Sequence, residues 1–169
     1  VDESPDRVYT GDPDYDPYCN QKCLDAHRQE LHRMMDEISD PNTNLADWFG
    51  VATIDEAIAL RANGIQRPIL LLSEPHPDGI LSLLTLQIDC VVYTDTFIHQ
   101  LNREALNRGL TAGVHLKIDT GMHRLGCSPD VAPEYIRAIQ QTPHLQLSGL
   151  LTHFACADDP SHPKNKLQE

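Results

Sequence analysis

Five short apolar segments, separated by amphipathic helical patterns, predict an α/β fold built on a parallel sheet. Two observations carry this. The strand-like segments are continuously rather than alternately apolar, as for strands covered on both faces. The helices between them carry their own start and stop residues. The first strand is predicted over Phe49–Ala52, and Thr53 then caps a helix over Ile54–Asn63 that closes at Gly64. Pro68–Leu72 reads as the second strand and Gly79–Leu86 as its helix. Cys90–Tyr93 is the third strand, followed by a helix over Thr96–Arg108 that ends at Gly109. Val114–Ile118, a helix over Val131–Gln141 and Leu147–Thr152 complete the series.

Before this regular region the text is different. Residues 1–44 form an acidic lead-in rich in Asp, Pro and Tyr, with Asp12-Pro13 and Asp16-Pro17 favouring turns. An added helix follows from Asn20 to about Ile38 and ends at Asp40-Pro41-Asn42. The chain thus divides into residues 1–44 and 45–169. Its start, at Val1 without an initiator Met and with neither a basic start nor an apolar stretch, reads as processed or cut from a longer chain, and not as a signal peptide.

Composition narrows the function classes. Of 169 residues, 40% are hydrophobic and 22% charged, as in an ordinary globular protein, and the formal net charge is -12. A chain that acidic has no basic stripe to neutralise phosphates, so no nucleic-acid partner is expected. No apolar run approaches the roughly 18 residues of a membrane span, so no membrane partner is expected and the location is read as cytoplasmic. The five cysteines, at 19, 23, 90, 127 and 156, do not suggest a disulfide framework. Cys90 and Cys156 read as small buried hydrophobes. Cys19 and Cys23 with His27 and His32 could be drawn as a zinc site, but helical spacing and polar neighbours explain them without metal, and none is expected.

Neither a G-x-G-x-x-G nor a G-x-x-x-x-G-K-[ST] follows any strand, which weakens nucleotide-binding versions of an open sheet. Periodicity still leaves two architectures, an open doubly wound sheet and a (β/α)8 barrel. In either, loops after strands carry the site. Lys117 and Asp119 end a buried strand, Thr120-Gly121 turns the chain, and Arg124 follows. That cluster suits an anion. The alternative is a strand-end ion pair of Lys117 with Asp119, with Arg124 in solvent. His153 ends the next strand and belongs on the same rim, either as a working group or as a hydrogen-bonded structural histidine.

The segment K-I-D-T-G-M-H-R-L-G (117–126) closely resembles the alanine racemase signature. G-L-L-T-H-F-A-C-A-D (149–158) resembles the stretch that follows it in that family, and W-F-G-V-A-T-I-D-E-A-I-A-L-R-A-N-G-I (48–65) resembles the family's second strand and helix. The likeness runs from about Ala46 to Glu169. It implies a partial TIM (β/α)8-type barrel with about five recognisable βα units and a pyridoxal 5′-phosphate (PLP) isomerase that converts L-alanine to D-alanine for cell-wall precursors. It also implies an amino-acid substrate and a homodimer. By resemblance, Arg124 bonds the cofactor's phenolic oxygen and helps hold the substrate carboxylate. Lys117 is the lysine often carbamylated in this family, which orients that arginine, and His153 packs against the pyridine ring.

The chain also departs from the family. Nothing resembles the V-K-A-N-A-Y-G-H-G motif that carries the covalently attached lysine, and Lys22, the only lysine upstream, reads as an exposed helix residue. The last two strands, the phosphate-binding loop and the second domain with its catalytic tyrosine are not matched. The expectation is a truncated or incomplete copy of a racemase, whose own activity is an open question. The alternatives are a non-catalytic scaffold or interaction protein, or a barrel with other PLP chemistry such as a decarboxylase or cofactor carrier.

Overall fold

The computed structural model describes residues 46–168. The predicted helix from Asn20 to Ile38, the Cys19 and Cys23 pair and Lys22 lie outside those residues. From Asp47 onward the chain forms one compact unit.

The strands are β1 (Phe49–Val51), β2 (Ile69–Leu71), β3 (Asp89–Val92), β4 (Ala112–Lys117) and β5 (Leu145–Leu151). The helices are α1 (Ile54–Ala62), α2 (Ile80–Thr85), α3 (Asp95–Arg108), α4 (Ala132–Gln140) and α5 (Pro163–Gln168). All neighbouring strands are parallel, and their spatial order is β1-β2-β3-β4-β5. A doubly wound sheet reverses its strand order at a switch point, and this order never reverses. The sheet is therefore a segment of a (β/α) barrel.

Local chemistry explains where the helices start and stop. Thr53 accepts from the Glu56 amide at 3.3 Å, and Glu56 reaches back to the Thr53 amide at 3.2 Å, a reciprocal capping box. Gly64, just past the Asn63 cap, has φ +85, and Gly109 ends α3 with φ +64, both in the left-handed region predicted for them. Thr94, two residues before the predicted start, caps α3 through the Phe97 amide at 3.3 Å. A 3-10 turn, Pro77–Gly79, precedes α2, so that helix starts one residue later than expected. α5 was not expected at all.

The core lies between the sheet and the helices. Leu71, Cys90, Val92, Val114 and Leu116 on the strands pack with Ala57, Leu83, Ile98, Leu101 and Ile139 on the helices. Strand side chains alternate between faces. Because Ala112, Val114 and Leu116 face the helices, Gly113, His115 and Lys117 take the opposite, inner face. β5 departs from the expected two-sided burial: its residues alternate, and Leu150 is 57% exposed.

On the inner face, Asp89 and His115 meet at 3.4 Å, an ion-pair distance without hydrogen-bond alignment, and Trp48 packs edge-on against the His115 ring. Gly149 makes room for that ring, since a Cβ there would lie 2.7 Å from His115 Nδ1. Among the described residues, no helix is long and apolar enough to cross a membrane.

Candidate active site

The C-terminal ends of the strands frame a cleft of about 320 Å³. Ala52 follows β1, Leu72 and Ser73 follow β2, Lys117 ends β4, and Leu151, Thr152 and His153 end β5; Arg124 and Leu125 come from the loop after β4. All three residues singled out in the sequence, Lys117, Arg124 and His153, thus line one cavity. This is the rim on which (β/α) barrels carry their sites.

The loop after β4 delivers Arg124. Cys127 donates its amide to the Lys117 carbonyl at 2.9 Å, and the Asp119 amide donates to the Cys127 carbonyl at 2.8 Å, so the chain returns alongside the strand it has left. Gly126 makes this possible. Its φ is +135, and a Cβ there would lie 2.6 Å from the Asp119 nitrogen. Asp119 then organises the interior of the loop, accepting from the Gly121 amide at 3.0 Å and the His123 amide at 2.9 Å. Those amides, His123's first, hold its carboxyl below the usual carboxylate range.

This geometry replaces the predicted alternative of a Lys117–Asp119 ion pair. Asp119 turns onto its own loop, because the fold-back at Gly126 aims backbone N–H groups at it. Lys117 is 6% exposed, and among the described residues its ammonium has no hydrogen-bond or ion-pair partner. Burial pushes its pKa down first, the positive charge of Arg124 pushes it further, and Asp119 opposes them. Burial and the charge of Arg124 thus both act against its ammonium form.

His153 is exposed, and its ring has no hydrogen-bond partner among the described residues, unlike the structural histidine considered from sequence. Its position is set through its backbone. The Thr120 and Thr152 hydroxyls meet at 2.7 Å across the two loops, and Gln168 bonds both Thr120 Oγ1 and the His153 carbonyl at 3.2 Å. Glu74 joins the next pair of loops, accepting at 2.7 Å from the Tyr93 amide, the Thr94 amide and the Thr94 hydroxyl.

Sequence reasoning found neither Glu74 nor Gln168. Glu74 carries one weak signal, a carboxylate just after a buried strand; Gln168 carries none. Cys156 was read as a buried strand residue but is half-buried in a turn after β5, because the chain leaves the sheet at Leu151. Cys90 is fully buried, and burial raises its thiol pKa.

A cleft with two cations and a histidine on one wall and Leu72, Leu125 and Leu151 beside them suits a flat, partly apolar anion. Comparison with known proteins gives this geometry its context. The family model described as alanine racemase, N-terminal domain, matches residues 32–169, beginning upstream of residue 45. An alanine racemase from Symbiobacterium thermophilum is 38% identical over 123 residues, which are 73% of this chain and 33% of the relative. One from Treponema denticola is 45% identical over 111 residues, 66% of this chain and 29% of that protein. Among solved structures, an alanine racemase of Clostridium difficile 630 in complex with cycloserine superposes with TM-score 0.72 at 31% identity, covering 82% of this chain and 37% of that one. A histidine racemase from Leuconostoc mesenteroides subsp. sake superposes with TM-score 0.71 at 28% identity, covering 80% and 37%. The chain spans about a third of the length of these proteins. With the family match over most of its residues and the barrel topology in agreement, the chain belongs to the alanine racemase N-terminal domain family.

Proposed function

We propose that this chain forms the Lys117–Arg124–His153 wall of a PLP site in a cytoplasmic amino-acid racemase that interconverts L- and D-alanine as a homodimer and supplies D-alanine to cell-wall precursors. The observation that carries the reading is the convergence of those three residues on one cleft at the C-terminal rim. The cleft suits the cofactor. Its leucines can face the ring, Arg124 can meet an oxyanion, and Lys117 is buried without a partner in the described residues. When bound, PLP acts as an electron sink that acidifies the α-proton of an amino acid attached to it.

The chain's own residues would contribute orientation and charge. Arg124 is always protonated and presents a planar fork, which fits a phenolic oxygen and a carboxylate better than a lysine would. His153 lines the same cleft and can pack against a ring. Lys117 beside Arg124 is electrostatically awkward as an ammonium. Its lowered pKa increases the share of neutral amine, whose nitrogen can form a bond to the carbon of CO2 and release a proton to solvent. The resulting carbamate is an anion, so repulsion of Arg124 becomes attraction. The nearness of a histidine racemase in fold leaves the side-chain specificity to residues elsewhere in the complete site.

The test is a PLP titration of the purified protein followed by absorbance, beside Arg124→Ala and His153→Ala. Losing a charge-assisted hydrogen bond costs about 1.5–3 kcal/mol, so Arg124→Ala should weaken binding by roughly one to two powers of ten. In [13C]bicarbonate, a carbamate carbon signal should appear and vanish in Lys117→Gln. Exchange of the alanine α-proton in D2O then reports catalysis. Equal PLP affinity in wild type and Arg124→Ala would sink the proposal, and a folded chain with no affinity for PLP would favour the scaffold reading.

A further inference from the structure

We infer that Gln168 is a positioning residue: its carboxamide clamps the loop that carries Arg124 to the loop that carries His153. The inference deepens the proposed cofactor site and rests on that reading for its purpose. α5 buries an unusual face. Leu167 is 82% exposed, while Asn165 and Gln168, three apart and both polar, are the buried residues of the helix. The helix is turned to present an amide.

Every polar atom of that amide is used. Nε2 donates to Thr120 Oγ1 at 3.2 Å and to the His153 carbonyl at 3.2 Å, and Oε1 accepts from the Ala155 amide at 2.9 Å. The assignment of oxygen and nitrogen follows from the partners, because a flipped amide would set N–H against N–H and oxygen against a carbonyl. The Gln168 stem lies over Gly121, where a Cβ would come within 3.4 Å of Cγ. Thr120 in turn meets Thr152 at 2.7 Å. Asn165 fixes the start of the helix by donating to the Cys156 carbonyl at 3.1 Å and the Asp159 carbonyl at 2.9 Å. One buried side chain thus spans both loops, touching the residue before Gly121 and the backbone of His153 itself.

Two isosteric changes separate packing from hydrogen bonding. Gln168→Leu keeps the bulk and removes all three bonds. Gln168→Glu keeps the acceptor for Ala155 but turns a carboxylate oxygen toward the His153 carbonyl. Amide hydrogen exchange, resolved by residue, should quicken about tenfold at Gly121 and His123 in both variants and at Ala155 in Gln168→Leu, while Val91 and Leu116 in β3 and β4 keep their protection. PLP affinity should fall about tenfold in parallel. Unchanged loop exchange in both single variants would overturn the clamp. So would quickening spread evenly through the core, which would make Gln168 a general stability residue. If the unaltered protein binds no PLP, the cofactor reading fails by that measurement alone, and the exchange pattern still decides the clamp.

Discussion

Gly126→Ala is the sharpest single perturbation of the site, because the structure offers the substituted chain only two routes. If the loop keeps its shape, alanine must hold φ +135, which for a residue with a Cβ costs about 1–3 kcal/mol. Its Cβ must also sit 2.6 Å from the Asp119 nitrogen and 2.9 Å from the Ile118 carbonyl carbon, so backbone and not a flexible side chain has to move. If the loop opens instead, the chain loses the Asp119–Cys127 and Cys127–Lys117 backbone bonds at 2.8 and 2.9 Å. At about 1 kcal/mol net for each, opening is the cheaper route. The expected loss in urea unfolding is therefore about 2–3 kcal/mol, accompanied by rapid amide exchange at Asp119 and Cys127 and by weaker PLP binding as Arg124 leaves the cleft. Gly109→Ala provides the control. That glycine has φ +64 but nothing within 4 Å of its Cβ position, so alanine there should cost about 1–2 kcal/mol and leave the loop protected. A loss below about 0.5 kcal/mol in Gly126→Ala with both amides still protected would refute the reasoning.

Three other perturbations probe the scaffold and the charge in the cleft. Arg61 donates to the carbonyls of Ile65, Arg67, Leu86 and Gln87 at 2.8–3.1 Å, joining the ends of α1 and α2, so Arg61→Ala should lower unfolding stability in urea by about 2–3 kcal/mol. Leu101 is fully buried on α3, and Leu101→Ala should cost about 2–5 kcal/mol by calorimetry while leaving the far-UV circular dichroism of the helices unchanged. The pKa of Lys117 is depressed below its ordinary 10.5, so between the two values the unfolded chain binds more protons than the folded one. In CO2-free buffer, stability relative to Lys117→Gln should then rise with pH from the depressed pKa up to about 10.5, read as urea midpoints; a flat difference would remove the electrostatic argument for the neutral amine.

What could be read in the chain was whatever local chemistry decides. Thr53, Gly64 and Gly109 act within a few residues, and the helices they bound stand within a residue or two of expectation. Apolar runs located all five strands, though not their ends: β4 starts at Ala112 and β5 at Leu145, each two residues early, because pairing between neighbours extends them past the apolar run. Barrel and open sheet could not be separated by periodicity, since both bury strands between helices; spatial order separates them. The same boundary between local and tertiary causes runs through the site. That Lys117, Arg124 and His153 share one rim is legible in the sequence, because strand ends and a motif mark them. An ion pair of Asp119 with Lys117 is the alternative that simple charge pairing offers, and only the fold-back at Gly126 explains why backbone amides take that carboxylate instead.

Gln168 sits at the far end of that scale. α5 has no apolar stripe, its one leucine points outward, and the Asp-Asp-Pro-Ser-His run before it reads as loop. The burial of a glutamine is decided by three partners that lie 13, 15 and 48 residues away in sequence, which no local pattern encodes. Burying an amide costs free energy unless each polar atom is satisfied, and here each is. A fully satisfied amide holding two loops in register is therefore a specific geometric feature of this rim, fixed by its three partners.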